Sequence, residues 1–466
     1  MRVFNTLSGQ KEEFVPHNRP QVKMYVCGVT PYSDAHVGHA MSYILFDTIR
    51  RYLEFRGFQV TYVQNFTDVD DKIIDRAHLL GIPPEELAEK FIAEYYADMA
   101  ALHVRPATAY VRATSEVGHI IDITSGLIDK GMAYAVDGDV FYRVTRDEDY
   151  GKLSHRPLEE MEAGARVSVD RRKEKPMDFA VWKSAKPGEP SWPSPWGPGR
   201  PGWHIECSAI VMAHLGPQID IHGGGADLIF PHHENEIAQS ESYTGLVPFA
   251  KYWIHNGLLQ LGGEKMSKSL GNLVTIKEAL AEFSADAIRL FVLTSHYRGP
   301  MTYSSEGVGA SERGVARLRG AVTPRSSAAP SGEPPELAAA RERSVAQFTL
   351  AMDDDFNTAS GIAELYELAR EINRAREGGT IETGIVEAQR TLVRLAGVLG
   401  LTLDEPNQNL SARPFVDLLV QVRRDLRTAK QFALSDQIRD DLQKLGVAIE
   451  DRADGSSWRF LRPSAG

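Results

Sequence analysis

The sequence predicts an α/β protein built on a parallel sheet. The apolar-alternating run Val22 to Val26 is typical of a strand, Ala40 to Arg56 repeats apolar residues at helical spacing, and Val60 to Val63 again favours a strand. Strand, helix and strand in this order indicate a parallel unit, and such units bind ligands beyond the carboxyl ends of their strands. Cys27 and Gly28 follow the first strand directly, so they are candidate site residues.

Composition limits the class of protein. The 466 residues predict about three domains. Apolar residues make up 42% and charged residues 25%, as in globular proteins, and no apolar run approaches the roughly 18 residues of a membrane span. The segment Met1 to Gln10 lacks the pattern of a secretory leader, which predicts a cytoplasmic location. The net charge of −11 indicates that any nucleic acid is bound by a local basic cluster.

Interruptions in the pattern divide the chain. A mixed region that finishes in the Pro, Gly and Trp-rich run Pro187 to Trp203 indicates an insertion, after which the strand-like Ile219 to His222 resumes the α/β fold. The run Pro324 to Pro335, rich in Ser, Ala, Pro and Gly, predicts a flexible linker. Beyond it, Asn357 or Thr358 can cap a helix with one apolar face, which indicates a helical domain.

A metal site is one candidate centre. Only two cysteines occur, Cys27 and Cys207, so a disulfide scaffold is excluded. If the run HHENE at 232–236 is helical, His232 and Glu236 point the same way and can share an ion with the two thiolates. The alternative is that each cysteine is a small buried apolar residue. The members of the run that point elsewhere, and that we interpret as solvated or structural, are His233 and Glu234.

Two further segments could bind phosphates. His36 and His39 lie just before a helix, whose first N–H groups attract anions. Lys265 and Lys268 lie in a run flanked by glycines, and a mobile loop with two ammonium groups can close over a polyphosphate. The alternatives are two incidental histidines near a turn and an exposed polar turn.

A glycine segment follows the resumed strand. Gly224 and Gly225 could let the backbone approach a flat base or a sugar closely, and Asp227 could accept hydrogen bonds from hydroxyl groups. A simple turn is the alternative.

Together these elements resemble a known family. HVGH at 36–39 resembles the HIGH signature of class I aminoacyl-tRNA synthetases, and KMSKS at 265–269 matches their second signature. The segments that resemble the cysteinyl-tRNA synthetase family more narrowly are MYVCG (24–28), FTDVDDK (66–72), GWHIECS (202–208) and FPHHENE (230–236). The similarity runs from Phe4 to Arg459. It implies an enzyme that converts L-cysteine and ATP to cysteinyl adenylate and transfers the cysteine to tRNA(Cys), releasing AMP and pyrophosphate.

The resemblance also implies roles for individual residues. One zinc ion per chain would lie on Cys27, Cys207, His232 and Glu236, where the family binds the substrate thiolate. The expected catalytic residues are His36, His39, Lys265 and Lys268. ATP, with Mg²⁺, is expected at Gly224, Gly225, Asp227 and Lys268. Cysteine is expected at Gly28, Thr67, Trp203 and Asp227. The anticodon is expected at Arg427 and Asp436, on a monomeric enzyme.

The same resemblance gives the expected domains. They are a Rossmann-like catalytic domain (1–116 and 202–300), a connective insertion (117–201), a junction and linker (301–335), a helical anticodon-binding domain (336–402) and a C-terminal anticodon-reading region (403–466). The basic residues of the last region, which form either a tRNA contact or a solvated helix face, are Arg423, Arg424, Arg427 and Lys430. Phe432 and Trp458 could stack on bases or belong to the core.

Two other functions remain open at this stage. The ligase that joins cysteine to an amino sugar in mycothiol synthesis shares the zinc site and both signatures. A non-catalytic paralogue that only binds tRNA is the second alternative. The glutamate of the HHENE run and the C-terminal region favour the synthetase over the first, and the intact signatures favour it over the second.

Overall fold

The computed structural model describes residues 1–156, 170–261, 264–265, 273–323, 332–380, 382–404, 408–445, 447–452 and 455–460. The chain forms two compact units. The first holds Met1–Leu280 with Ala285–Leu403, and the second holds Ala281–Ser284 with Asp404–Gly466.

The strands are β1 (Arg2–Asn5), β2 (Gln10–Glu13), β3 (Gln21–Val29), β4 (Gln59–Phe66), β5 (Ala109–Arg112), β6 (Ala133–Val136), β7 (Asp139–Tyr142), β8 (Phe179–Ser184), β9 (Gly199–Pro201), β10 (Ile219–Gly225), β11 (Ala250–Asn256), β12 (Leu259–Leu261), β13 (Glu264–Lys265), β14 (Met301–Tyr303), β15 (Val447–Arg452) and β16 (Gly455–Phe460).

The α-helices are α1 (Val37–Phe55), α2 (Asp71–Leu80), α3 (Pro84–Ala101), α4 (Val117–Asp129), α5 (Trp203–His214), α6 (Glu234–Thr244), α7 (Ile276–Glu282), α8 (Ala285–Leu293), α9 (Ser305–Val322), α10 (Pro335–Asp353), α11 (Thr358–Glu377), α12 (Val386–Val398), α13 (Gln408–Thr428) and α14 (Phe432–Lys444). Among the helices described, none combines the length and the apolar character that crossing a membrane requires.

A five-stranded sheet forms the centre of the first unit. Its order is β11, β10, β3, β4, β5, and every neighbouring pair is parallel. The chain first proceeds from β3 to β4 and β5, and later returns to the other side of β3 with β10 and β11. The predicted α/β fold with a parallel sheet is therefore confirmed. The strand order reverses between β3 and β10, and a crevice opens at such a point.

Helix α1 crosses back from β3 to β4. The sequence predicted its start near Ala40, but it begins at Val37 because His36 caps it: the backbone N–H of Gly38 donates to His36 Nδ1 at 3.1 Å. Ile44 and Leu53 are buried, as the helical spacing predicted. The helix ends before Gly57, whose φ of 85° suits a glycine.

The predicted insertion contains an antiparallel sheet. Its strand order is β6, β7, β8, β9. The core below this sheet includes Trp182 together with Ile205 and Ala209 of α5 and Ala238 of α6. Helices that flank the parallel sheet thus complete the core of the insertion, which explains why the two form one compact unit.

The helical segment begins at the end of the predicted linker. Pro335 is the first residue of α10, because proline suits the first helical turn. Residues 324–331, which make up most of that linker, lie outside the described residues. Asn357 caps α11 as predicted, since its side chain accepts from the N–H of Ser360 at 3.1 Å.

The second unit has its own small core. Val416 and Val420 of α13 pack with Leu442 of α14 and Val447 of the β15–β16 hairpin. Arg423, expected to lie on a basic surface, is instead fully buried, whereas Arg424 is exposed. The expectation for Arg423 was wrong because α13 turns this side chain inward.

A buried ion pair joins three parts of the first unit. Arg289 of α8 donates to Asp47 Oδ2 of α1 at 2.7 Å and to the carbonyls of Leu102 and Leu399. Both charged side chains are buried. A side chain at Gly400 would place its Cβ 1.9 Å from Arg289 Nη2, so glycine is required there.

This pair predicts a large effect on stability. Arg289→Met should lower the free energy of unfolding by about 3 to 5 kcal/mol, because it leaves the Asp47 carboxylate buried without its partner. Arg390→Met, which removes an exposed pair with Glu387, should cost about 1 kcal/mol or less. Denaturant titration of both variants measures the difference, and equal losses would contradict the assignment.

Candidate active site and metal centre

A cavity of about 500 Å³ opens at the carboxyl ends of the central strands. It lies at the neighbouring strands β3 and β10, between which the strand order reverses, and parallel α/β sheets bind ligands at such a position. The lining residues used below are Cys27, His36, His39, Lys72, Asp227 and Asn256.

Gly28 brings β3 and β4 close together beside this cavity. A Cβ at position 28 would lie 1.6 Å from the carbonyl oxygen of Asn65, so no other residue fits. The N–H of Gly28 donates to Asn65 Oδ1 at 2.7 Å. Thr67 follows β4, is buried, and donates its N–H to the carbonyl of Val29 at 3.2 Å. Of the four residues expected to bind cysteine, Gly28 thus lines the cavity, whereas Thr67 is not among its lining residues.

Four predicted ligands converge below the cavity. The ligand atoms of Cys27, Cys207, His232 and Glu236 all lie within 4.8 Å of one another, and the four residues are buried. Cys27 Sγ is 3.9 Å from Cys207 Sγ and 3.6 Å from Glu236 Oε1. His232 Nε2 is 3.4 Å from Cys207 Sγ and 3.1 Å from Glu236 Oε1.

These distances fit a tetrahedral zinc ion. Usual zinc bond lengths put neighbouring ligand atoms roughly 3.3 to 3.8 Å apart, within a few tenths of an ångström of those found here. His232 belongs to a π-helical turn, Ile229–His233, and Glu236 to the first turn of α6. The predicted run therefore spans the junction between this turn and α6, and the side chains of His232 and Glu236 still meet.

The charges of the group suit a cation. Burial opposes ionisation of Cys207, but the hydrogen bond with Cys27 and the nearby His232 outweigh it and lower the pKa of Cys207 to about 6. Burial also opposes ionisation of Glu236, yet His222 and His232 hold its pKa at about 2. Burial, followed by Cys207, raises the pKa of Cys27. Burial lowers the pKa of His232, but Cys207 and Glu236 outweigh it and raise that pKa to about 10. The protein alone thus pairs one thiolate and one carboxylate with a protonated His232, and a divalent cation would replace that proton and favour the second thiolate.

Histidines that the sequence did not assign support this group from behind. His222 Nε2 is 2.8 Å from Glu236 Oε2. His233 Nε2 is 3.2 Å from Cys27 Sγ, and its Nδ1 is 2.8 Å from His255 Nε2. His255 Nδ1 in turn lies 2.8 Å from Thr6 Oγ1. Desolvation lowers the pKa of His233, and that of His255 to about 3, so both rings are neutral.

Of the two interpretations of His233 and Glu234, solvated or structural, the structural one holds, because both residues are buried. Glu234 accepts the N–H groups of Leu153 and Ser154. A second potential metal group consists of Cys27, His222, His233 and Glu236. Its His222 to Glu236 distance of 2.8 Å is that of a hydrogen bond, so His222 is better placed to orient Glu236 than to share its ion.

Trp203 lies beside the four predicted metal ligands Cys27, Cys207, His232 and Glu236, called the quartet below. It begins α5, and its ring stacks on His232 with centroids 4.2 Å apart. Trp203 is 40% exposed, so its ring contacts His232 and also remains accessible to solvent. This position is compatible with its predicted contact with the substrate.

His36 and His39 stack with their ring centroids 3.8 Å apart. His36 Nδ1 accepts the N–H of Gly38, and His39 Nδ1 accepts the N–H of His36. Each neutral ring must therefore carry its proton on Nε2. Two N–H donors at the N-terminus of a helix are suited to bind an anion.

Gly223 and Gly224 have a packing role that the sequence did not reveal. A Cβ at Gly223 would lie 2.3 Å from the Phe46 ring, and one at Gly224 would lie 2.8 Å from the His233 ring. These glycines thus make room for α1 and for the histidines under the sheet. Gly225 and Asp227 line the cavity, which leaves them as candidates for contact with a nucleotide.

The predicted lysines fall in a segment that is only partly described. Lys265 ends strand β13, its side chain is not described, and Lys268 lies outside the described residues. The chain that follows returns to the histidine motif: the N–H of Val37 donates to the carbonyl of Val274, and Thr275 forms a bridge with His36.

In the second unit, Arg427 of α13 and Asp436 of α14 face each other. Arg427 Nη1 is 3.8 Å from Asp436 Oδ1, and both side chains are exposed. Phe432 is likewise exposed, whereas Trp458 is half-buried against the core of this unit and donates to Asp417 Oδ1 at 2.6 Å. These contacts favour the core role of Trp458 over base stacking.

Comparisons with known proteins agree with this arrangement. Residues 13–313 match the family described as the tRNA synthetases class I (C) catalytic domain, residues 347–404 match the DALR domain, and residues 414–459 match the cysteinyl-tRNA ligase anticodon binding domain. A cysteine–tRNA ligase of Dehalococcoides mccartyi is 57% identical over 99% of this chain and 100% of its own length. One of Heliobacterium modesticaldum is 48% identical over 98% and 99%.

A solved structure shows the shared fold. Methionyl-tRNA synthetase of Mycobacterium tuberculosis, in complex with methionyl-adenylate, superposes with a TM-score of 0.58. The match covers 86% of this chain and 94% of that one at 17% identity, so it supports the fold alone.

The quartet predicts the metal content of the purified protein. We expect one zinc per chain, lost in Cys207→Ala, because Cys207 belongs to the tetrahedral group. His233→Asn should keep its zinc, because His233 belongs only to the alternative group. Elemental analysis after dialysis measures both. Zinc retained in Cys207→Ala but lost in His233→Asn would assign the ion to the alternative group.

Proposed function

The chain belongs to the cysteine–tRNA ligase family of class I aminoacyl-tRNA synthetases, and on that premise we propose how its residues divide the reaction. It is an enzyme that joins cysteine to tRNA(Cys) with the help of ATP. The single observation that carries the proposed site is the convergence of Cys27, Cys207, His232 and Glu236 beside the cavity.

We assign zinc to this quartet and cysteine to the cavity above it. The ion would supply a soft Lewis acid for the sulfur of the substrate. Serine differs from cysteine by one atom, and shape alone separates such analogues by only about 1 to 3 kcal/mol. A thiolate is a far better zinc ligand than a hydroxyl group, so selection by sulfur explains how serine is rejected.

His233 and His222 keep this centre in the required state. A neutral His233 can donate from Nε2 to Cys27 Sγ only if its Nδ1 accepts from His255, and the Thr6 hydroxyl group can complete the chain by donating to His255. His222 donates to one oxygen of Glu236 and leaves the other directed at the quartet. Such partners orient metal ligands.

The activation step joins the cysteine carboxylate to ATP. The carboxylate attacks the α-phosphate, the bond to the bridging oxygen breaks, and pyrophosphate leaves with the negative charge. The Nε2–H groups of His36 and His39 and the N-terminus of α1 would stabilise that charge. We assign Gly225 and Asp227 to the adenosine, and Lys265 and Lys268 to the phosphates with Mg²⁺. Positioning and charge stabilisation suffice, so no covalent enzyme intermediate is needed.

In the transfer step, the 2′-hydroxyl of the terminal adenosine of tRNA takes the cysteinyl group, and AMP leaves. We assign recognition of the anticodon to Arg427 and Asp436 in the second unit. The match of residues 414–459 to an anticodon binding domain supports this assignment and favours tRNA over an amino sugar as the acceptor. The domain boundaries, the monomeric state and the cytoplasmic location stay predictions.

The assignment of the anticodon residues is tested by separating the two steps. Changing Arg427 and Asp436 to alanine should leave cysteine-dependent exchange of pyrophosphate into ATP near normal, while kcat/KM for tRNA charging falls. A lost base contact costs on the order of 1 to 3 kcal/mol, or about fivefold to 150-fold. The matched control replaces Lys444 and Asp441, an exposed ion pair in the same unit, with alanine and should charge normally.

Equal loss of exchange and charging in the Arg427 and Asp436 variant would show a structural role instead. Unchanged charging would remove both residues from tRNA recognition.

A further inference from the structure

Lys72 is a cation of the cavity that neither signature includes. It lies in the first turn of α2, and its ammonium group is 5.7 Å from the centre of the Tyr32 ring. Both residues line the cavity with His36 and His39. Among the cavity-lining residues that the structure describes, Lys72 is the only lysine or arginine.

The two acids before Lys72 are engaged elsewhere. Asp70 caps α2 and accepts the backbone N–H of Lys72 at 3.0 Å. Asp71 accepts from Lys183 at 2.8 Å and from Arg200. Within the described residues, no carboxylate forms an ion pair with the Lys72 ammonium group. The helix start is thus fixed by its neighbours, while the positive charge of Lys72 is left to act on the cavity.

We propose that Lys72 binds the phosphate groups of ATP during cysteine activation. This inference rests on the proposed assignment of the cavity to cysteine and ATP. Negative charge grows on the departing pyrophosphate, whereas the cysteine carboxylate loses its charge when the adenylate forms. The Lys72 ammonium group therefore favours adenylate formation if it contacts the phosphate groups of ATP, and not if it contacts the cysteine carboxylate. Tyr32 links it to the histidine motif, since Tyr32 and His36 belong to one short segment between β3 and α1.

The test is cysteine-dependent exchange of pyrophosphate into ATP with the full-length zinc enzyme. Lys72→Met and Lys72→Gln should both lower kcat/KM for ATP by about tenfold to a hundredfold, as loss of a charge-assisted hydrogen bond does. KM for cysteine should stay within about twofold of the unaltered enzyme. Lys72→Arg should recover most of the activity, because it restores the charge.

A matched control is available on the neighbouring helix. Lys90 of α3 also lies over an aromatic ring, with its ammonium group 5.2 Å from the centre of Phe91, but it does not line the cavity. Lys90→Met should behave as the unaltered protein. Zinc content and the thermal unfolding midpoint should be unchanged in every variant. Both measurements check that the fold and the metal centre are intact.

Three results would overturn the proposal. Normal pyrophosphate exchange with slower tRNA charging in Lys72→Met would mean that the lysine contacts the terminal adenosine of tRNA and not ATP. A raised KM for cysteine alone would place it on the cysteine carboxylate. Equal losses in Lys72→Met and Lys90→Met would show a general effect of removing surface charge. Failure of the proposed function itself is distinguishable, since the unaltered protein would then show no cysteine-dependent exchange.

Discussion

The buried carboxylate of Glu236 is the interaction on which the rest of the site depends. One of its oxygens meets His222 of β10, and the other meets His232 and Cys27. Burying an ionised carboxylate is costly unless it is paired and hydrogen-bonded, so the surrounding groups must be held in place. The parallel sheet does this by bringing the ends of β3 and β10 side by side. The candidate metal centre is therefore a consequence of the strand order as much as of the ligands.

Neutral and charged groups are separated around the cavity. Beneath the sheet, His233 and His255 are neutral because burial disfavours their charged forms. Toward the opening lie the two stacked histidines, the N-terminus of α1 and Lys72, all of which suit an anion. In the proposed assignment, the residues that bind sulfur and the residues that bind phosphate thus share one crevice. The proposed site for cysteine lies between them, because cysteine carries a thiol at one end and a carboxylate at the other.

Much of the fold could be predicted from local patterns. The strands before Cys27 and after Gly57 and the helix between them follow from apolar spacing, and the ion ligands follow from residue types that metals prefer. The roles of His222, His233 and His255 could not be predicted, because they depend on which strands become neighbours. The role of Gly223 could not be predicted for the same reason. It leaves room for the Phe46 ring of α1, and nothing in the sequence around Gly223 indicates that contact. Arg423 looked like part of a basic surface and proved to be buried, since a charged residue gives no indication of which way its helix faces.

The central claim is that the quartet and its ion recognise the sulfur of cysteine, and X-ray absorption at the zinc edge tests it most directly. The protein alone should show two sulfur ligands, from Cys27 and Cys207, with the remaining ligands nitrogen or oxygen. Adding cysteine should raise the count to three, and adding serine should leave it at two. A count that stays at two with saturating cysteine would contradict the account, because selection would then have to arise elsewhere in the cavity.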